Sequence, residues 1–195
     1  NPTIADIYQR IKSGQLILRP DFQRKFVWTP SHQEDFLDTI FRGYPFPEIY
    51  VCEGDIDIKE LRTTHFVIDG QQRLTTIILS LCAFRDLLKP LDLDQKGKKY
   101  LQTIEELLSN FDINTDETLL RLELQYEESK NFLGKLIMQE SYEDERTSSI
   151  LKMEEAYYKI KQHLGIYLLF GIDALTQFAK YFLTKIDLVV IESEN

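Results

Sequence analysis

A polar strand-to-helix turn is the feature that most constrains the fold of this chain. The eight residues of Asp69–Thr76 read DGQQRLTT. They follow His65–Ile68, a β-branched and aromatic run that is typical of a buried strand. After the turn, apolar residues recur at helical spacing, at Leu74, Ile77, Ile78, Leu81, Phe84 and Leu88. The pattern predicts a buried strand, a tight turn and a long amphipathic helix.

The turn also carries groups that suit an anion. It holds one glycine, one acid, two amides, one guanidinium and two hydroxyls. The start of a helix leaves backbone N–H groups unpaired and carries a partial positive charge. With Arg73 nearby, and Gly70 allowing close approach of the backbone, the turn is a candidate phosphate site. It is neither a P-loop nor a dinucleotide fingerprint, because no Gly-Lys-Ser/Thr follows and it has a single glycine.

A purely structural interpretation of the same turn is open. Asp69 could cap the helix, Gly70 could make the turn and Arg73 could form a surface ion pair. Spacing alone favours this interpretation modestly, because such caps are common. The number of polar groups argues against this interpretation. A cap does not require the four polar side chains of Gln71, Gln72, Arg73 and Thr75.

Composition narrows the class of protein. The chain has 195 residues, of which 43% are apolar and 28% charged, as in soluble globular proteins. No apolar run reaches membrane-spanning length, and no secretory signal precedes the first helix pattern. Cys52 and Cys82 lack metal spacing, so we expect free thiols in a reducing cytoplasm. The three histidines are scattered, which disfavours a structural zinc site.

Charge is unevenly spread along the chain. Residues 1–90 hold 11 Lys/Arg against 12 Asp/Glu, whereas residues 91–195 hold 12 against 20. The resulting net charges, −1 and −8, argue against strong, sequence-blind DNA binding by this chain alone. The chain begins at Asn1 without a methionine and stops just after the strand-like run Leu188–Ile191. We therefore expect it to be a piece of a longer protein.

The patterns predict an α+β fold in two parts. Residues 1–90 form a small mixed sheet with helices. Residues 91–195 form a mainly helical subdomain whose last strand, Ile186–Ile191, can return to that sheet. In this second part we predict a polar linker at Gln95–Lys99, a strand near 119–124, and helices around 99–109, 127–139, 148–164 and 173–184.

A second polar cluster, Gln23-Arg24, lies in a loop between Phe22, Phe26 and Trp28. Its apolar flanks suggest that the loop is held against the core, with its polar residues in a cleft. The alternative is a solvent-facing Arg-Lys pair at the apex of the loop, and from these residues alone that alternative is preferred.

Both clusters, in their order and context, resemble a known family. The matching segments are PDFQR at 20–24, VW at 27–28, GYPFP at 43–47 and IDGQQRLTT at 68–76. They resemble the DGQQR-motif domain at the N-terminus of GmrSD-type restriction enzymes and SspE-like phage-defence proteins. The fold of that domain is similar to the ParB/sulfiredoxin fold.

The resemblance covers most of residues 3–90, and two departures stand out. Lys25 occupies a position where these proteins often have proline. A Phe-Glu and an Asn-x-x-Gly element usually follow the last strand, and both are absent from this sequence.

The resemblance implies a domain that binds and hydrolyses a nucleoside triphosphate (NTP) and regulates a bacterial or archaeal restriction or phage-defence protein. DNA would be reached through the full-length protein and cut by a separate C-terminal nuclease domain or subunit. Arg24 and Arg73 would hold phosphate oxygens and stabilise charge as the terminal phosphoryl group leaves. Asp69 would hold Mg²⁺ or another divalent ion, or orient the attacking water. The remaining nucleotide contacts would come from Gln23, Gly70, Gln71, Gln72, Thr75 and Thr76.

Two other functions stay open for the same residues. A ParB-like nuclease would use Asp69 with a metal on a phosphodiester, together with sequence-distant acids such as Glu48 or Glu53. A non-catalytic module would bind nucleotide or DNA through these residues and switch a partner without turnover.

Overall fold

A computed structural model describes residues 2–12, 16–18, 25–42, 44, 46–57, 62–112, 116–120, 129, 131–186 and 188–193. The described residues form seven α-helices, which are α1 (Ile4–Lys12), α2 (Pro30–Arg42), α3 (Gln71–Leu88), α4 (Gln95–Leu108), α5 (Phe132–Met138), α6 (Ser148–Ile166) and α7 (Ile172–Lys185). A 3₁₀ turn, Tyr167–Phe170, joins α6 to α7. The strands are β1 (Leu16–Leu18), β2 (Phe46–Asp57), β3 (Arg62–Asp69), β4 (Ser109–Asp112), β5 (Glu117–Leu120) and β6 (Leu188–Ser193).

Four of these strands form a mixed sheet in the order β1-β3-β2-β6. β3 runs parallel to β1 and antiparallel to β2. β6 joins the other edge of β2 in parallel, with Ile49 opposite Val190. β4 and β5 form a separate antiparallel hairpin. The chain is thus rich in helices with a mixed sheet, and its likeness to the ParB/sulfiredoxin fold stays a prediction.

The predicted long helix after the turn is confirmed as α3, but the prediction that it is amphipathic is wrong. Fifteen of its eighteen residues are buried. α4, α6 and α7 all contact it, so its buried surface is wider than the single apolar stripe of an amphipathic helix. Cys82 lies within it as a free thiol, and burial raises the pKa of that thiol to about 12.

The predicted polar linker Gln95–Lys99 is also wrong, since these residues begin α4. Asp94 caps that helix, because its Oδ1 accepts a hydrogen bond from the Gly97 N–H at 2.7 Å. A Cβ on Gly97 would lie 3.2 Å from the Cβ of Leu93 and 3.3 Å from Cγ2 of Thr176. The glycine therefore serves close packing of the first turn, and the charged residues around it face solvent.

Buried apolar residues from both halves of the chain form one core cluster, which includes Val51, Val67, Ile150 and Phe182. The division into two units at residue 90 stays a prediction. None of the helices within the described ranges is both long enough and apolar enough to cross a membrane.

A buried polar network ties the C-terminal end of α3 to two later helices. The Arg85 guanidinium donates to the backbone carbonyls of Leu136, at 3.0 Å, and Ile137, near the end of α5. Its Nε donates to Asp86 Oδ1 at 2.8 Å, and the Tyr157 hydroxyl of α6 donates to Asp86 Oδ2 at 2.7 Å. Burial raises the pKa of Asp86, but the hydrogen bonds from Arg85 and Tyr157 outweigh it and leave the pKa below its usual value.

We predict that Asp86→Asn lowers the free energy of unfolding by about 3 kcal/mol at neutral pH, because it leaves the buried Arg85 charge uncompensated. A folded-state pKa below the unfolded value means that the stabilisation is fully present above about pH 4 and is lost as pH falls through the folded value. Urea denaturation should therefore show the gap between wild type and mutant closing in acid. Asp38→Asn, on the exposed face of α2, is the control and should change stability little. A gap that does not depend on pH would contradict the assignment.

Candidate functional site

The backbone of Gly70 makes the turn between β3 and α3. Its φ of 110° and ψ of 2° lie in the left-handed region, which glycine adopts without steric cost. Gly70 is also the N-cap residue of α3, and a glycine has no side chain with which to cap the helix. Asp69 is therefore not the cap, which removes one part of the purely structural interpretation. Backbone N–H groups at the start of a helix are suited to face a ligand.

Asp69 and Arg73 lie one helical turn apart at the edge of this site. Asp69 Oδ2 is 3.8 Å from Arg73 Nη1, and the two side chains are 53% and 25% exposed. A separation of 3.8 Å marks a loose ion pair and not a hydrogen bond, so the pair contributes little by itself. Both charged groups reach solvent at the turn, where a ligand could meet them.

Gln71, the first residue of α3, is only 8% exposed. Its Nε2 is buried and has no hydrogen-bond partner among the residues that the structure describes. A buried donor left unpaired costs about 1–3 kcal/mol. An incoming oxygen acceptor would remove that cost. Gln33 Oε1, on α2, is a second buried polar atom, here an acceptor, without a hydrogen-bond partner among the described residues.

The two threonines of the motif are buried inside the helix. The Thr76 hydroxyl donates to the Gln72 carbonyl at 2.8 Å, and Thr75 is almost fully covered. The hydrogen of Thr76 is thus already used within α3. A contact between Thr76 and a nucleotide stays a prediction, and the hydrogen bond within α3 argues against it.

The Gln72 side chain holds a neighbouring segment of backbone. Its Oε1 accepts from the Val27 N–H at 2.8 Å, and its Nε2 donates to the Lys25 carbonyl at 3.1 Å. That segment directly follows Gln23 and Arg24, which both lie outside the described residues. The structure therefore brings the chain next to the second polar cluster into contact with the DGQQR turn.

Sequence reasoning missed two further residues at this place. Ser149, at the start of α6, accepts a hydrogen bond from the Phe26 N–H at 2.9 Å. Gln33 Nε2 makes a long, 3.5 Å contact with the Trp28 carbonyl. No local pattern could have indicated Ser149, because 123 residues separate it from Phe26.

The acidic side chains near the site limit the ways in which a metal ion could be bound there. Across the described residues, no three or more His, Cys, Asp or Glu side chains come together as a metal-binding group. A single exposed carboxylate such as Asp69 nevertheless fits Mg²⁺, which is often held by one or two carboxylates together with substrate phosphates and water. The residues present thus suit an ion that arrives with a phosphate ligand.

Comparison with known proteins gives one family and one relative. Residues 4–195 match the family described as the GmrSD restriction endonuclease, N-terminal domain, which confirms the family predicted from the motif. An uncharacterized protein of the archaeon Methanocaldococcus jannaschii is 31% identical over 98 residues. That alignment covers 40% of this chain and 16% of the archaeal protein, so the chain corresponds to a small part of that relative.

We predict that Gly70→Ala destabilises the chain by about 1–2 kcal/mol, because an L side chain is strained at a φ of 110°. Thermal denaturation would measure the loss. Gly165→Ala is the control, since that glycine lies in α6 with open space around its Cβ position. Equal melting of the Gly70→Ala variant and wild type would contradict the left-handed geometry of the turn.

Proposed function

The chain belongs to the family of GmrSD restriction endonuclease N-terminal domains, and we propose that it binds and hydrolyses a nucleoside triphosphate. In this proposal it is the regulatory domain of a restriction or phage-defence protein, with a ParB/sulfiredoxin-like core. The observation that carries the proposal is the buried Nε2 of Gln71, which has no hydrogen-bond partner among the described residues and lies at the start of a helix whose N-cap is Gly70. Such a donor, beside Arg73, suits a phosphate oxygen.

Phosphate binding would combine the backbone and side chains of the turn. Gly70 has no Cβ, so an anion can approach the first-turn N–H groups of α3 closely. Gln71 would donate through its free amide hydrogens. Arg73 would supply a full positive charge at the partly exposed rim, and Arg24 would supply a second one from the adjoining segment.

Hydrolysis would draw on Asp69 at the end of β3. Its exposed carboxylate would hold a divalent ion or orient the attacking water. A bound Mg²⁺ would neutralise charge on the phosphate oxygens. Arg73 and Arg24 would stabilise the charge that develops as the terminal phosphoryl group leaves.

The acidic second half of the chain determines how strongly we expect the chain to bind DNA. With a net charge of −8 over residues 91–195, the chain alone would bind a phosphate backbone weakly. Contact with DNA would come through the full-length protein, and cleavage through a C-terminal nuclease domain or subunit. The nucleotide site would then control that activity.

We predict that Arg73→Ala weakens NTP binding by roughly ten- to a hundredfold, since a hydrogen bond to a charged group contributes about 1.5–3 kcal/mol. Isothermal titration calorimetry would measure the affinity. Arg42→Ala, at the exposed end of α2, is the matched control and should bind like wild type. Equal affinity of the Arg73→Ala variant and wild type would remove Arg73 from the phosphate site.

We predict that Asp69→Ala abolishes hydrolysis and keeps most of the NTP affinity. Its melting temperature should stay near that of wild type, because Gly70, and not Asp69, is the N-cap of α3. Phosphate release, calorimetry and thermal denaturation on one preparation would test this, with Asp38→Ala as the control.

Two other results would point to the alternative functions. Plasmid cleavage that depends on Asp69 would indicate a nuclease. NTP binding without phosphate release in wild type would indicate a non-catalytic sensor, and an active Asp69→Ala variant would contradict the role of Asp69 in turnover.

A further inference from the structure

Two aromatic residues lie at the start of α2, and solvent reaches both of them. Trp28 is partly buried, and His32 is exposed. Their ring planes are nearly parallel, 21° apart, and the ring centroids are 6.2 Å from each other. That distance is within the range of offset-stacked aromatic rings. We call Trp28 and His32 the aromatic pair.

Contacts at the start of α2 hold both rings in place. The Thr29 N–H donates to His32 Nδ1 at 3.2 Å, and the Thr29 hydroxyl lies 2.8 Å from the same nitrogen. Trp28 packs at a steep angle, 65°, against the buried ring of Phe36, with the centroids 5.5 Å apart. Rings that are already fixed lose little entropy when a flat ligand stacks on them.

Packing against the core leaves part of this aromatic surface open. A tryptophan that served only as a core anchor would be covered like Phe26 and Phe36, which are 1% and 4% exposed. Solvent instead reaches Trp28, and the preceding residue, Val27, is 43% exposed. Two consecutive apolar residues are thus open to solvent, and a ligand that covered them would gain free energy from their burial.

The aromatic pair is joined to the candidate phosphate site through the backbone. Gln72 Oε1, in the first turn of α3, accepts from the Val27 N–H at 2.8 Å, one residue before Trp28. Consecutive Cα atoms lie about 3.8 Å apart, so the backbone of Trp28 is close to that turn. Gln71, whose Nε2 has no hydrogen-bond partner among the described residues, is the neighbour of Gln72. A nucleoside triphosphate is long enough to reach from this turn to the aromatic pair.

We propose that Trp28, supported by His32, stacks on the base of the nucleotide whose phosphates bind at the first turn of α3. The proposal rests on the function proposed above, and it concerns a part of the ligand that the DGQQR turn is not expected to contact. Every nucleobase has a π face, so stacking tolerates all of them. We therefore expect a site of broad base specificity, which binds the larger purines more tightly than the pyrimidines.

Trp28 is the single tryptophan of the chain, so tryptophan fluorescence reports on this place alone. ATP and GTP should quench the emission, because a stacked base lies directly on the indole ring. Inorganic tripolyphosphate has the phosphate groups but no base, and it should bind without comparable quenching. NTP binding that leaves the fluorescence unchanged would overturn the proposal.

Trp28→Leu removes the aromatic face and should weaken ATP binding by roughly five- to a hundredfold, as loss of base–aromatic stacking does elsewhere. Calorimetry should show that its affinity for tripolyphosphate stays that of wild type. Trp28→Phe keeps an aromatic ring and should retain most of the ATP affinity. Tyr158→Leu, which changes an exposed aromatic residue of α6, is the matched control and should bind both ligands like wild type.

Tripolyphosphate also separates this proposal from the proposed function. Equal losses of ATP and tripolyphosphate affinity in Trp28→Leu would mean that Trp28 only supports the fold, and would overturn base stacking. Unchanged ATP affinity in that variant would overturn it as well. If wild type binds neither ligand, the phosphate site fails, and base stacking fails with it. ATP binding that depends on Trp28 but leads to no phosphate release would support base stacking and contradict hydrolysis.

Discussion

Burial of α3 is the constraint on which the other features depend. This helix is covered along most of its length, and it carries a polar assembly at each end. Its first turn holds Gln71, Gln72 and Arg73 of the DGQQR motif. Near its other end, Arg85 and Asp86 form a network with Tyr157 of α6. Because the helix between them is packed on several sides, the first turn has a rigid base, which a site for ordered phosphate groups requires.

The polar side chains of the first turn fall into two groups: those whose hydrogen bonds are satisfied within the protein, and those with an atom that lacks a partner among the described residues. Gln72 uses both ends of its amide on the backbone of Lys25 and Val27, and Thr76 uses its hydroxyl within the helix. Gln71 leaves its Nε2 without a partner among the described residues. A buried group that is satisfied contributes to the fold, whereas one left unsatisfied reduces stability until something binds it. The motif thus contains both kinds of residue, and only the second kind points to a ligand.

Sequence predicted the elements whose signal is local. The strand, turn and helix around Gly70 follow from spacing that is visible within 25 residues, and β6 follows from a single apolar run. The start of α4 was missed because its charged residues are typical of a loop, although Asp94 caps it. The hairpin strand β4, Ser109–Asp112, was missed for the same reason, since it is short and polar.

The site was predictable only in part. The assignment of Asp69 and Arg73 to a phosphate site stays a prediction, although their charged groups lie 3.8 Å apart at the turn between β3 and α3. The role of the Gln72 side chain was not predictable, since an amide binds backbone and ligand groups with the same chemistry. Ser149 could not be found at all, because its partner is 123 residues away in the sequence.

The position of β6 has a consequence for how the chain is made. β2 lies between β3, which follows it closely in sequence, and β6, which follows more than a hundred residues later. A ribosome would release β2 long before its second partner, and during that interval one edge of β2 has no strand beside it. An open strand edge is prone to pair with other chains. The helices made in between would have to protect that edge, so the long interval before β6 is a period of aggregation risk during synthesis.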